Sequence, residues 1–410
     1  MRRSSLFAWG YIGLLTAALA VSFAHATIYP MDDHFHYQRF VEELARGHLD
    51  LRIPGFHGTN IIVVPWFWLS GSHLAQIHVQ IASAILLPLL AFLAARALFR
   101  STWHGVVFAS VIAMMPFLGF GSLRGWMVAT YNAYLFLTIF LAARGSRWVW
   151  LPWGLAMISL PFAIALLPLV FVLVPAKHGA WHKRYAHLIA AFCVPALYLL
   201  LQLIQAGHIS IGVHQDFSAT SIWAGPRRIF LNAAHGLQML FSIHNYYFPD
   251  PVRTGHGNVM HTSPILIMLG LLGGMAWKTF FVQRATVIAL LLGGIIGIGM
   301  NVMIDHMDHF YMDTGILLIV LAALPVLRTL PFCLPLVLAT LHFQWFYFYL
   351  NFREPFQLDP WFFLTPAIVD ICFVLFCITR LSDIRAALTE WWRGSALAVA
   401  QRGTAGDRGG

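Results

Sequence analysis

The densest group of chemically reactive side chains follows the first apolar run of the chain, at Asp32, Asp33, His34 and His36. A charged group at the edge of a membrane-spanning segment is costly unless it faces water or a polar cavity, and it therefore indicates a functional site. Two adjacent carboxylates also repel each other, which suits one of them to proton transfer. The alternative is the hydrated flank of a helix. We favour a functional site because charges this close to a bilayer are costly.

A second group with the same residue types lies beside a later apolar run. Its members are Asp305, His306, Asp308, His309 and Tyr311. The histidines and aspartates of both groups could supply metal ligands. However, their spacing matches no strong metal-binding pattern, and histidine is common at membrane interfaces. We therefore predict no metal site, and we leave a divalent cation open as a cofactor.

Group transfer at a membrane surface is the second chemistry that these residues could perform. A carboxylate can take the proton of an attacking hydroxyl as a general base. Arginine can hold a phosphate that departs with the leaving group. The arginines available for that task are Arg227, Arg228, Arg253 and Arg353. Each of them could equally bind a lipid headgroup.

The composition shows what must position these groups. The chain has 410 residues, of which 59% are hydrophobic and only 10% are charged, and apolar runs of about twenty residues recur from end to end. This composition is typical of a polytopic membrane protein. Four cysteines all lie within apolar runs, and they predict free thiols with neither a disulfide framework nor a zinc site.

The apolar runs predict an all-α fold of about twelve membrane crossings. Ten runs each predict one span: 6–24, 74–98, 105–120, 126–142, 185–205, 264–281, 285–302, 312–327, 330–350 and 361–379. The run 148–174 is too long for one ordinary helix and is interrupted by Pro152, Pro161 and Pro168. It predicts two short crossings or a re-entrant pair.

The charges orient this topology. Lys and Arg cluster in alternate connections, so these connections, both termini and the partly disordered tail at 381–410 are expected to be cytoplasmic. The net charge of +9 therefore reflects topology, and no nucleic-acid partner is expected. Twelve of the sixteen acidic residues fall in or beside the other connections of the transmembrane domain 1–380. We name those connections segment one (25–73), segment two (206–263), segment three (303–312) and segment four (351–360).

Segment one has a predictable local structure. Residues 37–45 can form an amphipathic helix that stops at Gly47. Residues 61–69 are apolar, contain Trp66 and Trp68, and suit a helix lying in the interface. The N-terminus is similar to a signal peptide, with Arg2, Arg3 and the sequence Ala-His-Ala at 24–26. However, the apolar run between them is long enough to span a membrane. We therefore predict an uncleaved anchor.

Four short stretches resemble motifs of known membrane glycosyltransferases. The sequence Met-Asp-Asp-His-Phe-His at 31–36 resembles the Met-Asp-Glu-x-Phe-His stretch of the dolichyl-phosphate-glucose α-1,2-glucosyltransferases and the Asp-Glu-x-His-Phe stretch of protein O-mannosyltransferases. Pro54-Gly55 is similar to the Pro-Gly that follows this stretch in the α-1,2-glucosyltransferases. Phe352-Arg353 is similar to the Glu-Phe-Arg stretch of the same enzymes. Asp-His-Phe-Tyr at 308–311 resembles their Asp-Asn-Arg-His-Tyr without the Asn-Arg. The second acid, Asp33, differs from the family's Glu, and the chain is shorter than the eukaryotic enzymes.

This resemblance implies a GT-C membrane glycosyltransferase that uses a polyprenyl-phosphate-linked sugar and inverts the anomeric centre. Asp32 would be the general base and Asp33 a supporting acid. Substrate binding would involve His34, His36, Arg253, Asp305, His306, Asp308, His309, Tyr311 and Arg353. The expected partners are the lipid-linked donor, a hydroxyl acceptor on a glycan or protein, and membrane lipid. The expected location is a bacterial inner membrane or its eukaryotic equivalent, with the active site on the extracytoplasmic face.

Two other classes of function remain open on the sequence alone. A metal or proton transporter could use the same acids and histidines, but it should place ionisable residues in mid-span along a path. Only Asp370 lies deep within a predicted span, where a polar contact between helices would also explain it. A non-catalytic scaffold would not explain why the acids are concentrated in particular connections.

Overall fold

The computed structural model describes residues 2–30, 32–53, 57–174, 181–207, 225–241, 262–275, 284–303, 312–379 and 389. The described residues are almost entirely helical and contain no β-strand. Their α-helices are α1 (Arg2–Ala24), α2 (Asp32–Ala45), α3 (His57–Ile61), α4 (Val63–Ser70), α5 (Ala75–Phe99), α6 (Thr102–Ala113), α7 (Pro116–Phe120), α8 (Val128–Arg144), α9 (Trp150–Ser159), α10 (Leu167–Leu173), α11 (Trp181–Ala206), α12 (Pro226–Phe241), α13 (Pro264–Met275), α14 (Arg284–Met303), α15 (Asp313–Thr329), α16 (Leu334–Phe352) and α17 (Leu364–Thr379).

The chain divides into two compact units, Met1–Thr365 and Pro366–Gly410. The described part of the second unit consists mainly of the remainder of α17, whose sequence is apolar. The first unit contains every other helix named above. All contacts described below lie within the first unit.

Membrane-spanning helices account for much of the described chain. Within the described residues, six stretches are long and apolar enough to cross a membrane: Leu6–Ala24, Ala75–Phe99, Ile189–Ala206, Arg284–Met303, Pro331–Leu350 and Pro360–Ile378. A seventh is counted only if α6 and the segment Pro116–Arg124, which meet at 64°, are taken together as one bent span. The chain is thus a multi-pass membrane protein by the length and composition of its helices, while the count of about twelve crossings stays a prediction.

Three central helices, α5, α8 and α15, run in the same direction. Gln76 at the start of α5 bonds to the carbonyl oxygen of Gly125, just before α8, at 2.7 Å. The hydroxyl of Tyr131 in α8 lies 2.5 Å from that of Thr314 at the start of α15. We call this end of the first unit the His34 end, because His34 lies there beside Gln76. At the opposite end, all three helices have an arginine in the last turn.

The segment 148–174 doubles back on itself. The helix α9 ends at Ser159, Leu160 is extended, and a 3₁₀ turn leads into α10. The indole N–H of Trp153 donates to the carbonyl oxygen of Ala163 at 2.8 Å, which ties the two arms together. Phe171 in α10 then stacks on Tyr185 near the start of α11. This geometry matches the pair interpretation of the prolines and returns the chain to the end from which α9 set out.

Segment one forms three short helices over the His34 end. In α2 the buried residues recur at helical spacing, with Tyr37, Phe40 and Val41 all at 1% exposure or less. Val41 packs on Val63 and Val64 of α4. The helix begins at Asp32, five residues before the predicted start, and its end before Gly47 agrees with the prediction.

The predicted interfacial helix at 61–69 corresponds to α4. Trp66 and Trp68 on this helix are 43% and 66% exposed, and Leu69 is 82% exposed. Large apolar side chains on the outside of a membrane protein suit the boundary between lipid and water. Segment one therefore buries apolar side chains between α2 and α4 and exposes Trp66 and Trp68 on its surface.

Candidate functional site

Segments one and four meet at the His34 end. The backbone N–H of Thr27 donates to the carbonyl oxygen of Phe356 at 2.7 Å. His25 lies 3.2 Å from the carboxylate of Asp359. The N–H of Tyr29 donates to the carbonyl oxygen of Leu123 at 2.9 Å, which adds the turn between α7 and α8 to the same place. Three stretches that are far apart in sequence therefore surround the start of α2.

His34 fixes the first turn of α2 to the start of α5. Its side chain is buried, with 2% exposure. Its Nδ1 lies 2.7 Å from Oε1 of Gln76, and its Nε2 lies 3.2 Å from the carbonyl oxygen of His73. The Nε2 group of Gln76 donates to the carbonyl oxygen of Gly125, so the Oε1 of Gln76 must be the acceptor that faces His34. His34 therefore donates from Nδ1.

This geometry presents both ring nitrogens of His34 to oxygen acceptors. A neutral ring can donate from only one nitrogen, and an imidazolium can donate from both. Burial is the largest influence and lowers the pKa of His34 below its usual value of 6.5, while the bonds to Gln76 and His73 act in the opposite direction. The neutral form therefore prevails near pH 7, with its proton on Nδ1.

A second layer of hydrogen bonds surrounds this contact. The backbone N–H of Gln76 donates to Oε1 of Gln38 at 3.3 Å, and Nε2 of Gln38 donates to Glu42 at 3.2 Å. The same oxygen of Glu42 lies 3.2 Å from Nδ1 of His73. These bonds hold one face of α2 against the turn before α5. The first turn of α2 is thus fixed in place over the end of the bundle.

The turn before α8 is shaped to fit against His34. Gly125 has a φ of +91°, a conformation that glycine adopts without steric cost. A Cβ atom at this position would stand 2.7 Å from the Cβ of His34. Only glycine therefore allows this turn and α2 to approach so closely.

The two acids of the motif lie in the first turn of α2, immediately before His34. Negative charge in the first turn of a helix is favourable, which accounts for the helix beginning at Asp32. The structure describes the backbone of Asp32 and Asp33 but not their side chains. The backbone of this turn lies at the His34 end.

Two of the remaining predicted site residues lie at the His34 end, and the others lie outside the described residues. His36 is half-buried on α2 and Arg353 is exposed at the end of α16, both at the His34 end. The other predicted residues lie outside the described part of the chain: Arg253, Asp305, His306, Asp308, His309 and Tyr311. Met312, the last residue of segment three, and Asp313 after it are buried at the start of α15.

The opposite flank of segment one is fastened to α11. His57 of α3 is 3% exposed, its Nε2 lies 2.8 Å from the carbonyl oxygen of Ile53, and its Nδ1 lies 2.6 Å from the hydroxyl of Tyr198. A carbonyl only accepts, so Nε2 donates and Nδ1 accepts the proton of Tyr198. Burial, the dominant cause, lowers the pKa of His57 to about 4. Gln205 adds bonds to the backbone of Leu49 and Leu51.

Sequence reasoning missed Gln76 and Arg124. Gln76 opens an apolar run, and Gln80 follows it at one helical turn, a spacing that could have indicated a polar stripe facing the motif. Arg124 is the arginine of the short connection between the predicted spans 105–120 and 126–142. It is 8% exposed, and a charge so well buried calls for a specific role.

Among the described residues, no three His, Cys, Asp or Glu side chains come together as a metal site would require. All four ring nitrogens of His34 and His57 lie within 3.2 Å of oxygen atoms of the protein. These two histidines therefore act in positioning segment one.

Comparison with known proteins gives no assignment. No protein-family profile, curated protein or solved structure matches this chain.

Proposed function

We propose that the protein is a multi-pass glycosyltransferase of GT-C type that moves a sugar from a polyprenyl-phosphate donor to a hydroxyl acceptor. The observation that carries the proposal is the attachment of the Asp32-bearing turn of α2 to the end of the bundle through His34 and Gln76. Such attachment holds a general base at a fixed depth, and positioning of this kind is a large part of enzymatic rate enhancement.

In the proposed reaction, Asp32 accepts the proton of the acceptor hydroxyl. The hydroxyl oxygen forms a bond to the anomeric carbon while the bond between that carbon and the phosphate oxygen breaks. The electron pair of the broken bond leaves with the polyprenyl phosphate, and the anomeric configuration is inverted. Asp33 acts as a supporting acid beside Asp32, and Arg353 contacts the departing phosphate.

The topology that accompanies this proposal has about twelve crossings. The arginines in the last turns of α5, α8 and α15 gather at the end opposite His34. Under the positive-inside rule that end is cytoplasmic and the His34 end is extracytoplasmic. An active site on that face suits acceptors of the cell envelope, such as a lipid-linked glycan, a surface glycan or a protein.

The test is transfer by the purified protein in proteoliposomes with radiolabelled polyprenyl-phosphate sugars. Asp32→Asn is expected to lower the rate by a factor on the order of 100 or more, the usual contribution of a general base. Glu43→Gln is the matched control, because it makes the same acid-to-amide change on the same helix at a surface pair with Arg46. Full activity of Asp32→Asn would exclude the mechanism. Metal flux without sugar transfer would favour a transporter instead.

A further inference from the structure

His104 is a buried histidine at the end of the bundle opposite the His34 end. It lies in the first turn of α6, is 5% exposed, and neither of its ring nitrogens has a hydrogen-bond partner among the described residues. Side chains of a helix lean towards its N-terminus, and the ring of His104 accordingly contacts that of Phe99 at the end of α5, with centroids 4.9 Å apart. A buried polar group without a partner is costly, so this histidine indicates a ligand.

The start of α6 is itself open to an anion. Ser101, the residue before the helix, is extended, and its side chain does not cap the helix. The first N–H groups of a helix have no partner within it, and the helix dipole adds about half a positive charge there. For both reasons helix N-termini bind phosphate groups. The uncapped N-terminus and the ring of His104 lie together in the turn between α5 and α6.

Two exposed arginines add positive charge to this turn. Arg100 follows α5 directly, four residues before His104. Arg328 lies in the last turn of α15, which packs against α6, and its guanidinium is close enough to act on His104 electrostatically. None of the described carboxylates forms an ion pair with either arginine. The ends of α5 and α15 each leave about half a negative charge, which is less than the full charge of each arginine.

The backbone of Arg100 indicates that its side chain is needed. Its φ is +51°, in a region that glycine adopts without steric cost. The corresponding position after α8 is a glycine, Gly145, at φ +65°. Residues other than glycine held in this region cluster at ligand sites, where the side chain has a role.

The surroundings place the turn at the level of the lipid headgroups. Trp103, in the first turn of α6, is half-buried, and Trp9 of α1 is 41% exposed and lies 5.8 Å from the guanidinium of Arg96. Tryptophan is enriched at that level of a membrane protein. Further along α1, Leu14 is 54% exposed, as a side chain facing acyl chains is. An anion at the start of α6 therefore lies where a phospholipid carries its phosphate.

We propose that the N-terminus of α6 binds the phosphate of an anionic phospholipid, with Arg100 and Arg328 as its cations and His104 as a hydrogen-bond donor. The half-buried rings of Phe99 and Trp103 cover His104, so a shift of either one opens it to the ligand.

The charge of the sequence supports an anionic ligand. The connections predicted at this end contain Lys and Arg but no Asp or Glu before the tail at 381–410. Basic sites between helices on the cytoplasmic side bind anionic lipid headgroups. The site lies at the opposite end of the bundle from the acidic motif, so the proposal is independent of the proposed function.

Binding of dioleoylphosphatidylglycerol to the purified full-length protein in detergent, measured by native mass spectrometry, tests the proposal. Dioleoylphosphatidylcholine should bind at least 10-fold more weakly, because its headgroup has no net charge. Arg328→Gln should weaken binding of the anionic lipid roughly 10-fold or more, as loss of a charged hydrogen bond does. Arg147→Gln, at an exposed arginine beyond the end of α8, is the matched control and should bind as the wild type does.

Three results would overturn the proposal. They are equal affinity of Arg328→Gln and the wild type, equal affinity of the two lipids, and displacement of the lipid by inorganic phosphate at the same concentration. The last result would show a site for a soluble anion.

Two further variants separate binding from folding. Arg100→Gly should unfold at about the wild-type temperature without lipid, because release of the left-handed conformation offsets the greater freedom of glycine in the unfolded chain. His104→Phe keeps a ring between Phe99 and Trp103 and removes the unbonded nitrogens, so it should also be no less stable. In both variants dioleoylphosphatidylglycerol should raise the unfolding temperature less than in the wild type, because a weaker ligand stabilises less. A full rise in both would overturn the proposal.

Discussion

Tyr198 of α11 donates its hydroxyl proton to Nδ1 of His57 across 2.6 Å, and this bond joins segment one to a membrane helix 141 residues further along the chain. The ring of His57 also packs on Phe40 of α2, with ring centroids 4.2 Å apart. Position and orientation of α2 thus depend on a contact far from the acidic motif.

Removal of that hydroxyl should destabilise the protein. Tyr198→Phe leaves the buried Nδ1 of His57 without its donor, which costs about 1–3 kcal/mol. Thermal unfolding in detergent measures the change. Tyr29→Phe, at a tyrosine that is 50% exposed, is the control and should change stability by no more than about 0.5 kcal/mol. Equal stability of the two variants would show that the bond contributes nothing.

The buried His57 should also make stability depend on pH. Its pKa is about 4 in the folded protein against 6.5 for the free side chain, so between these values the unfolded chain binds the extra proton. Stability contributed by His57 is complete above pH 6.5 and is lost as pH falls towards 4, by roughly 3 kcal/mol in total. The stability of His57→Gln should fall less over this window. Parallel pH curves for the two proteins would contradict the assignment.

Gly125→Ala should disturb the acidic motif more than a comparable change elsewhere. The new Cβ would collide with His34 in addition to the cost of a left-handed conformation. Gly71→Ala is the matched control, because Gly71 is also left-handed, at φ +58°, and has open space around its Cβ position. We expect Gly125→Ala to be less stable than Gly71→Ala by about 1–3 kcal/mol in chemical unfolding. Similar losses of stability in the two variants would contradict the close packing of Gly125 against His34.

The hydrogen bond between Gln76 and His34 predicts that Gln76→Leu and Gln76→Glu shift the pKa of His34 in opposite directions. Because this bond raises the pKa of His34 against the effect of burial, Gln76→Leu should lower that pKa further. Gln76→Glu places a negative charge beside Nδ1 and should raise it. The measurement is an NMR titration of histidine-labelled protein, with the signal of His34 assigned by His34→Gln. Shifts of the same sign in both variants would exclude the proposed donor and acceptor roles.

Much of the fold follows from local sequence, because apolar periodicity and proline act over short distances. The amphipathic helix of segment one, the pair at 148–174 and most predicted spans have described counterparts. The run 105–120 predicts one span, whereas in the structure the helix breaks at Met114 and Met115. Pro116 accounts for the break, since proline disfavours helical geometry in the residue before it.

The candidate site was less accessible to prediction. The acidic motif is identifiable because its charges stand beside an apolar run, and alternating topology predicts segment four on the same face. That the two segments touch does not follow from the sequence. The roles of Gln76, Gly125 and Arg124 depend on contacts between helices that are distant in sequence. A glutamine at the edge of an apolar run or a glycine in a turn gives no local signal that it will lie against His34.

The common direction of α5, α8 and α15 has an electrostatic consequence. Peptide dipoles add along a helix and leave about half a positive charge at its N-terminus. The three negative ends carry Arg96, Arg144 and Arg328, which compensate them, while the three positive ends lie together near His34. The backbone thus contributes a positive potential at the His34 end, which Asp313 in the first turn of α15 offsets in part.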